Sequence, residues 1–265
     1  MLEQVMLVSL FTFVIHLTET LTYSLRSAGV RLGKLAVALS LSGIILLVSR
    51  TANMIQAPLT GKIIDSAKLH VDYNLIDQLR IIIGAATMGT FTALLLFPSA
   101  VILSSRVISH FEVAGSIPRM VRSSVSIQKL QNARYHLRYP KLSMLSRLRI
   151  GSLPKRIVVL NCVVTAIYTI GVLAALLAST LTADYSIAAS QSSGLINGIA
   201  TLLLTILIDP QIGLMTDKVL RGEREFAVLH RIFGMLMISR LLGTVLAQVL
   251  LIPAAYWIKW IVSVL

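Results

Sequence analysis

Charged and hydrogen-bonding side chains recur every three or four residues inside strongly apolar stretches, and that is where this sequence could do chemistry. Thr12, His16, Glu19 and Tyr23 form one such series, and their spacing stacks them on one stripe of a helix. Arg50, Asn53 and Gln56 form a second, and Arg240, Thr244 and Gln248 a third. Ser193, Asn197, Thr201, Thr205 and Asp209 step four apart in a fourth. Ionisable groups are costly in hydrocarbon, so such stripes turn toward one another or toward water. The first stripe reads as part of an interior site or as a satisfied interhelical hydrogen-bond cluster. The fourth reads as the wall of a hydrophilic passage or as a packing seam of small polar residues, with the wall preferred.

Depth along the helices pairs the charges. At about 1.5 Å rise per residue, Glu19 and Arg240 both lie about 10 Å from one edge of their apolar stretches, whereas Arg50 lies about 10 Å from the opposite edge. Glu19 is therefore expected to pair with Arg240. Arg50 is left as the less compensated cation, available to a phosphate through charge-assisted hydrogen bonds, unless helix-end carbonyls or Glu19 neutralise it. Arg31 and Lys34 stand at the end nearest Glu19, where they meet an anionic head group or, on the stronger reading, act as topology signals. His16, Glu19 and Asp209 are the groups through which an ion or proton gradient would act. No metal site and no bound cofactor are expected.

These stripes need elements that hold them in a bilayer. Of 265 residues, 56% are hydrophobic and only 13% charged, about half the charged fraction of an ordinary soluble domain. A soluble globule is excluded. Apolar stretches of spanning length fall at about 4–25, 35–57, 81–103, 157–181, 188–209 and 232–262, which predicts an all-α, six-span membrane protein. The opening Met1-Leu2-Glu3-Gln4 is acidic, unlike a cleaved secretory signal, so the first stretch is expected to remain as a span. Cys162 is the single cysteine and sits in an apolar run, so no intramolecular disulfide forms and no role is assigned to it.

The net charge of +13 would suggest nucleic acid in a soluble protein. Here its distribution follows the positive-inside rule, and no nucleic-acid partner is expected. Between 106 and 156 the basic residues Arg106, Arg119, Arg122, Lys129, Arg134, Arg138, Lys141, Arg147, Arg149, Lys155 and Arg156 face a single acid, Glu112. That segment is expected in the cytoplasm, together with Arg26, Arg31 and Lys34 of the first connection and Lys218, Arg221, Arg224 and Arg231 of the fifth. Both termini then lie outside. Ile117, Met120, Val121, Val125, Leu130 and Leu137 recur near helical spacing between those charges, as in helices lying on the inner leaflet or in a solvated hairpin packed on the spans.

The chain also matches itself weakly. Ala57-Pro58-Leu59-Thr60-Gly61 pairs with Asp209-Pro210-Gln211-Ile212-Gly213, and Asp65 then pairs with Asp217. Gly89-Thr90 and Pro98 similarly correspond to Gly243-Thr244 and Pro253. The expected organisation is a first three-helix repeat over 1–105, the basic amphipathic segment over 106–156, and a second three-helix repeat over 157–265. An odd number of spans per half would make the repeats inverted, a recurring construction of transporters, while chance recurrence of Pro-x-x-Gly at helix ends is the competing explanation.

Three stretches carry a family resemblance: Ile15-His16-Leu17-Thr18-Glu19-Thr20-Leu21, Gly33-Lys34-Leu35-Ala36-Val37-Ala38-Leu39-Ser40 and Ser49-Arg50-Thr51-Ala52-Asn53-Met54-Ile55-Gln56-Ala57-Pro58. The chain resembles the Amj family, alternate to MurJ, over its whole length. The resemblance implies transport of lipid II, the lipid-linked peptidoglycan precursor, from the inner to the outer leaflet of a bacterial cytoplasmic membrane, with lipid II and membrane lipids as partners. It supplies no residue-level mechanism. No Gly-x-x-x-x-Gly-Lys-Ser/Thr run occurs, so direct drive by ATP is not expected. The rival from another class is an integral-membrane enzyme on polyprenyl pyrophosphate, such as a phosphatase using Glu19 and Ser49-Arg50-Thr51. A membrane scaffold is a third reading.

Overall fold

The computed structural model describes residues 2–69, 74–116, 118–119 and 154–265. Within them all regular structure is helical, as it must be where lipid offers the backbone no hydrogen-bond partner. The elements are α1 (Leu2–Arg31), α2 (Leu35–Leu69), α3 (Leu75–Ala114), α4 (Lys155–Leu181), α5 (Ser186–Gln191), α6 (Ser193–Leu203), a π-helical turn (Leu204–Ile208), α7 (Asp209–Leu220) and α8 (Phe226–Val264). Taking α5 to α7 as one span, six are long and apolar enough to cross a membrane.

Several helices outrun the apolar stretches that seed them. α3 has 40 residues and α8 has 39, about 60 Å of helix against a hydrocarbon core of about 30 Å. Arg106 and Glu112 therefore continue α3 rather than opening a separate surface segment. Residues 117 and 120–153, and with them nearly all of the expected amphipathic stretch, lie outside the described residues. α2 likewise continues through Pro58 to Leu69, so the Pro-x-x-Gly match does not mark the end of a helix there. Proline is tolerated because neighbouring helices and hydroxyls re-satisfy the freed backbone groups. Its counterpart Pro210 follows the π turn directly, in the first turn of α7, with the chain helical on both sides.

The α1–α2 turn shows how the local sequence stops a helix. Gly33 takes φ 68°, Lys34 N–H donates to Gly29 O at 2.7 Å and Gly33 N–H to Val30 O at 3.1 Å, a glycine-terminated cap. This turn, the end of α3, the start of α4 and the α7–α8 connection share one end of the bundle, called the basic end below for Arg31, Lys34, Arg106, Lys155, Arg156 and Arg224.

The two halves pack alike. α1 lies against α2 and α3, while α2 and α3 barely meet; α4 lies against the fifth span and α8, which barely meet each other. The halves join chiefly through α3 and α8, with α1 touching α8 and α2 touching α4. One contact recurs in both halves. A methyl group at Gly89 of α3 would strike the backbone carbonyl of Phe13 on α1, and one at Gly243 of α8 would strike the carbonyl of Cys162 on α4. Without a hydrophobic drive between helices in lipid, such close backbone approach supplies the packing energy. α1, α3, α4 and α8 thus make a tight core, with α2 and the fifth span outside it. The fifth span buries 17% of its most apolar stretch, against 50% for α4, so its large apolar side chains face lipid.

Gly89→Ala and Gly243→Ala should each destabilise the protein by about 1–3 kcal/mol through forced helix separation. Gly194→Ala, where nothing lies within 4 Å of the added carbon, should change stability little. Thermal unfolding of the three purified variants in one detergent checks this, and equal losses in all three would refute the packing argument.

Candidate functional site

The first polar stripe turns inward. Thr12 and His16 are buried, and Tyr23 packs its ring on Phe233 at 5.7 Å. The hydroxyl of Thr12 donates to Val8 O at 2.8 Å and that of Thr20 to His16 O at 2.7 Å. These two threonine hydroxyls are satisfied within α1, which presents Glu19 to its neighbours.

Glu19 is the junction of four helices. Its Oε2 accepts from Arg240 Nη2 of α8 at 2.8 Å. Its Oε1 accepts from Ser49 Oγ of α2 at 2.7 Å and, more weakly, from Tyr168 OH of α4 at 3.5 Å. The Glu19 and Arg240 side chains are 11% and 15% exposed. A charge pair at this depth survives only because the remaining carboxylate oxygen is also hydrogen-bonded. Removing one partner would leave the other charge uncompensated, a loss of about 3–5 kcal/mol.

One to two turns farther from the basic end lies a small cavity of about 30 Å³, lined by Thr12, Ile15, His16, Asn53, Gln56, Tyr168, Thr169, Val172, Leu173 and Asn197. It has room for about two water molecules. α1, α2, α4 and α6 all contribute to its lining. Gln56 Nε2 donates to Thr12 Oγ1 at 2.8 Å, whereas His16 Nδ1 and Asn197 Oδ1 are buried with no hydrogen-bond partner. Gly171 leaves the space that the Asn197 amide fills, since a methyl there would collide with it. Beyond the cavity, away from the basic end, Val5, Val8, Ile63 and Leu173 belong to an apolar cluster. The cavity is thus held between an ion-paired layer and a greasy one.

Of the residues singled out from sequence, the structure gathers Glu19, Arg240, His16, Asn53 and Asn197 here. Arg50 differs from expectation. Because α2 runs on to Leu69, Arg50 sits mid-helix in the same layer as Ser49, not near the opposite edge. Ser49 turns inward and Arg50 is exposed on the next side of the helix, close enough to act electrostatically on Tyr168. Arg50 joins no ion pair found among the described residues.

The polar seam of the fifth span is not continuous. Asn197 reaches the cavity, but Thr201 and Thr205 are exposed and the π turn over Leu204–Ile208 rotates Asp209 out of register with them. Five-residue hydrogen bonding spends one extra residue per turn and breaks a four-residue stripe. At the basic end Lys34 is bonded to Glu112 on α3, and Arg31 is exposed. Among the described residues no three His, Cys, Asp or Glu side chains gather to hold a metal ion.

Sequence reading missed Tyr168 and the inward role of Ser49. The signal was present: Asn161, Thr165 and Tyr168 repeat the spacing of Thr12, His16 and Glu19. The glycine contacts set Phe13 against Cys162, and the same register sets Glu19 against Tyr168. Counterparts from the two halves therefore meet each other in the ion-paired layer.

These features define an integral membrane protein whose described residues form six helical spans with a charged, polar interior. The profile described as "Amj: Alternate to MurJ" matches residues 11–262, and the chain belongs to that family. It is 41% identical over 259 residues to the Bacillus subtilis (strain 168) protein named "Lipid II flippase Amj", covering 97% of this chain and 96% of that protein. No solved structure matches it.

Reversing Glu19→Arg or Arg240→Glu alone should lower thermal stability sharply, and combining them should recover most of the loss. A double variant as unstable as the worse single one would contradict a mutual pair.

Proposed function

We propose that this protein is a lipid II flippase, moving the lipid-linked precursor from the inner to the outer leaflet of the bacterial cytoplasmic membrane. Its family membership and its likeness to the Bacillus subtilis protein named for that activity support the reading. The observation that carries it physically is the polar cavity beside a four-helix ion-paired layer, lined in part by the two least buried spans.

Lipid II presents a pyrophosphate and a bulky polar head while its polyprenyl tail stays in hydrocarbon. A carrier therefore needs polar groups at mid-bilayer and a side opening to lipid. α2 and the fifth span, being the least buried, form that opening, with Asn53 and Asn197 on its two walls. Arg50 stands at its rim in the ion-paired layer, with its charge free for a phosphate. Arg31 at the basic end supplies a first electrostatic attraction for the head group. The basic end faces the cytoplasm and both termini face outside, on the positive-inside rule.

The two halves act as inverted repeats that rock against each other, as in alternating-access carriers. The layer of Glu19, Arg240, Ser49 and Tyr168 is the contact that must open toward the cytoplasm. A phosphatase reading fares worse, because both oxygens of Glu19 are already hydrogen-bonded and no second intramembrane carboxylate stands beside it among the described residues.

A leaflet-accessibility assay with head-group-labelled lipid II in vesicles tests the proposal. Wild-type protein should expose lipid II at the far leaflet. Arg50→Ala should slow transfer at least ~10-fold if the loss of one charge-assisted contact of about 1.4 kcal/mol is felt in the transfer barrier. Glu19→Gln should also impair it. Phosphate release without transfer would replace this reading with the enzyme one.

A further inference from the structure

His16 combines features that the transfer of lipid alone does not use. It is 3% exposed, it lines the cavity, and its Nδ1 has no hydrogen-bond partner. Across the same cavity the Oδ1 of Asn197 is buried and equally unpartnered. A buried polar atom without a partner is costly, so both side chains keep unspent hydrogen-bonding capacity beside the cavity that their residues line. The space admits about two water molecules, and a neutral imidazole always keeps one ring nitrogen able to take a proton.

The surroundings decide what would bind. The charged and titratable groups facing His16 are Glu19 on its own helix, Arg240 from α8 and Tyr168 from α4. α2 presents Asn53 and Gln56, and α6 presents Asn197, none of which titrates. Glu19 is engaged by Arg240, Ser49 and Tyr168, so the basic group lining the cavity that is able to take a proton is His16, three residues before Glu19 on the same face.

We propose that His16 is a proton-binding site that couples transfer of the lipid to movement of protons. The ring nitrogen takes a proton from hydronium in the cavity: an N–H bond forms, an O–H bond breaks, and water remains. The imidazolium then competes with Arg240 for Glu19, loosening the contact between α1 and α8. When the cavity faces the other side the proton returns to water and the pair re-forms. No electron changes hands. This inference rests on the flippase reading.

The test uses the full-length protein in vesicles containing labelled lipid II and an internal pH dye. Wild type should move protons with lipid, and a pH gradient should change the transfer rate several-fold. His16→Gln should abolish the gradient response. A protein carrying His70→Gln, His110→Gln, His136→Gln and His230→Gln, with His16 its only histidine, should keep that response, so the proposal stays testable even if His16→Gln fails to fold. A persistent response in His16→Gln, or its loss in the four-fold variant, overturns the proposal. Wild type that transfers lipid without protons overturns it and leaves the flippase reading standing; wild type that transfers no lipid overturns both.

Discussion

A carboxylate and a guanidinium held in the hydrocarbon layer constrain everything else in this molecule. Neither Glu19 nor Arg240 can be left alone there, because the desolvation of each is offset by the other and, for Glu19, by further hydrogen bonds. That requirement brings α1 and α8, from opposite halves of the chain, to a shared depth. It also calls in Ser49 and Tyr168 to complete the carboxylate's partners. The glycines at 89 and 243 hold α3 against α1 and α8 against α4, which fixes the helices that carry Glu19, Tyr168 and Arg240.

A tight core and a loose periphery follow from that arrangement. α1, α3, α4 and α8 are locked by backbone contact and by the ion pair, while α2 packs mainly on α1 and the fifth span mainly on α4. The fifth span also carries a π-helical turn followed at once by Pro210, so its backbone is the less regular of the two. In the proposed cycle the outer spans part to admit a lipid-borne head group, and the core opens where its halves meet. The Glu19–Tyr168 contact joins counterpart positions of the two halves, which places the charged layer at the meeting point of any such motion.

Much of this was legible in the residues. Apolar runs of spanning length gave six helices, and the four-three-four spacing of Thr12, His16, Glu19 and Tyr23 gave the inward stripe. Depth counting paired Glu19 with Arg240 because both helices cross the bundle with their apolar stretches nearly centred. The same counting misplaced Arg50, since hydropathy ends α2 near Pro58 whereas the helix continues to Leu69. Spacing alone could not foresee the π turn that breaks the Asn197-to-Asp209 seam, because an extra residue in one turn leaves no mark in a periodic pattern. Tyr168 escaped notice for a different reason: its stripe is carried by Asn161 and Thr165 without a charge, and uncharged polar residues in a span are common enough to pass as packing.

The central claim is that the Glu19–Arg240 layer separates the polar cavity from the basic end. Cysteine accessibility at the cavity wall measures it directly, using Asn53→Cys in a Cys162→Ser background with a membrane-impermeant thiol reagent supplied at the basic end. The thiol should be shielded while the pair is intact and should become reactive from that end when Glu19→Gln is added. Equal reactivity with and without the pair would contradict the account.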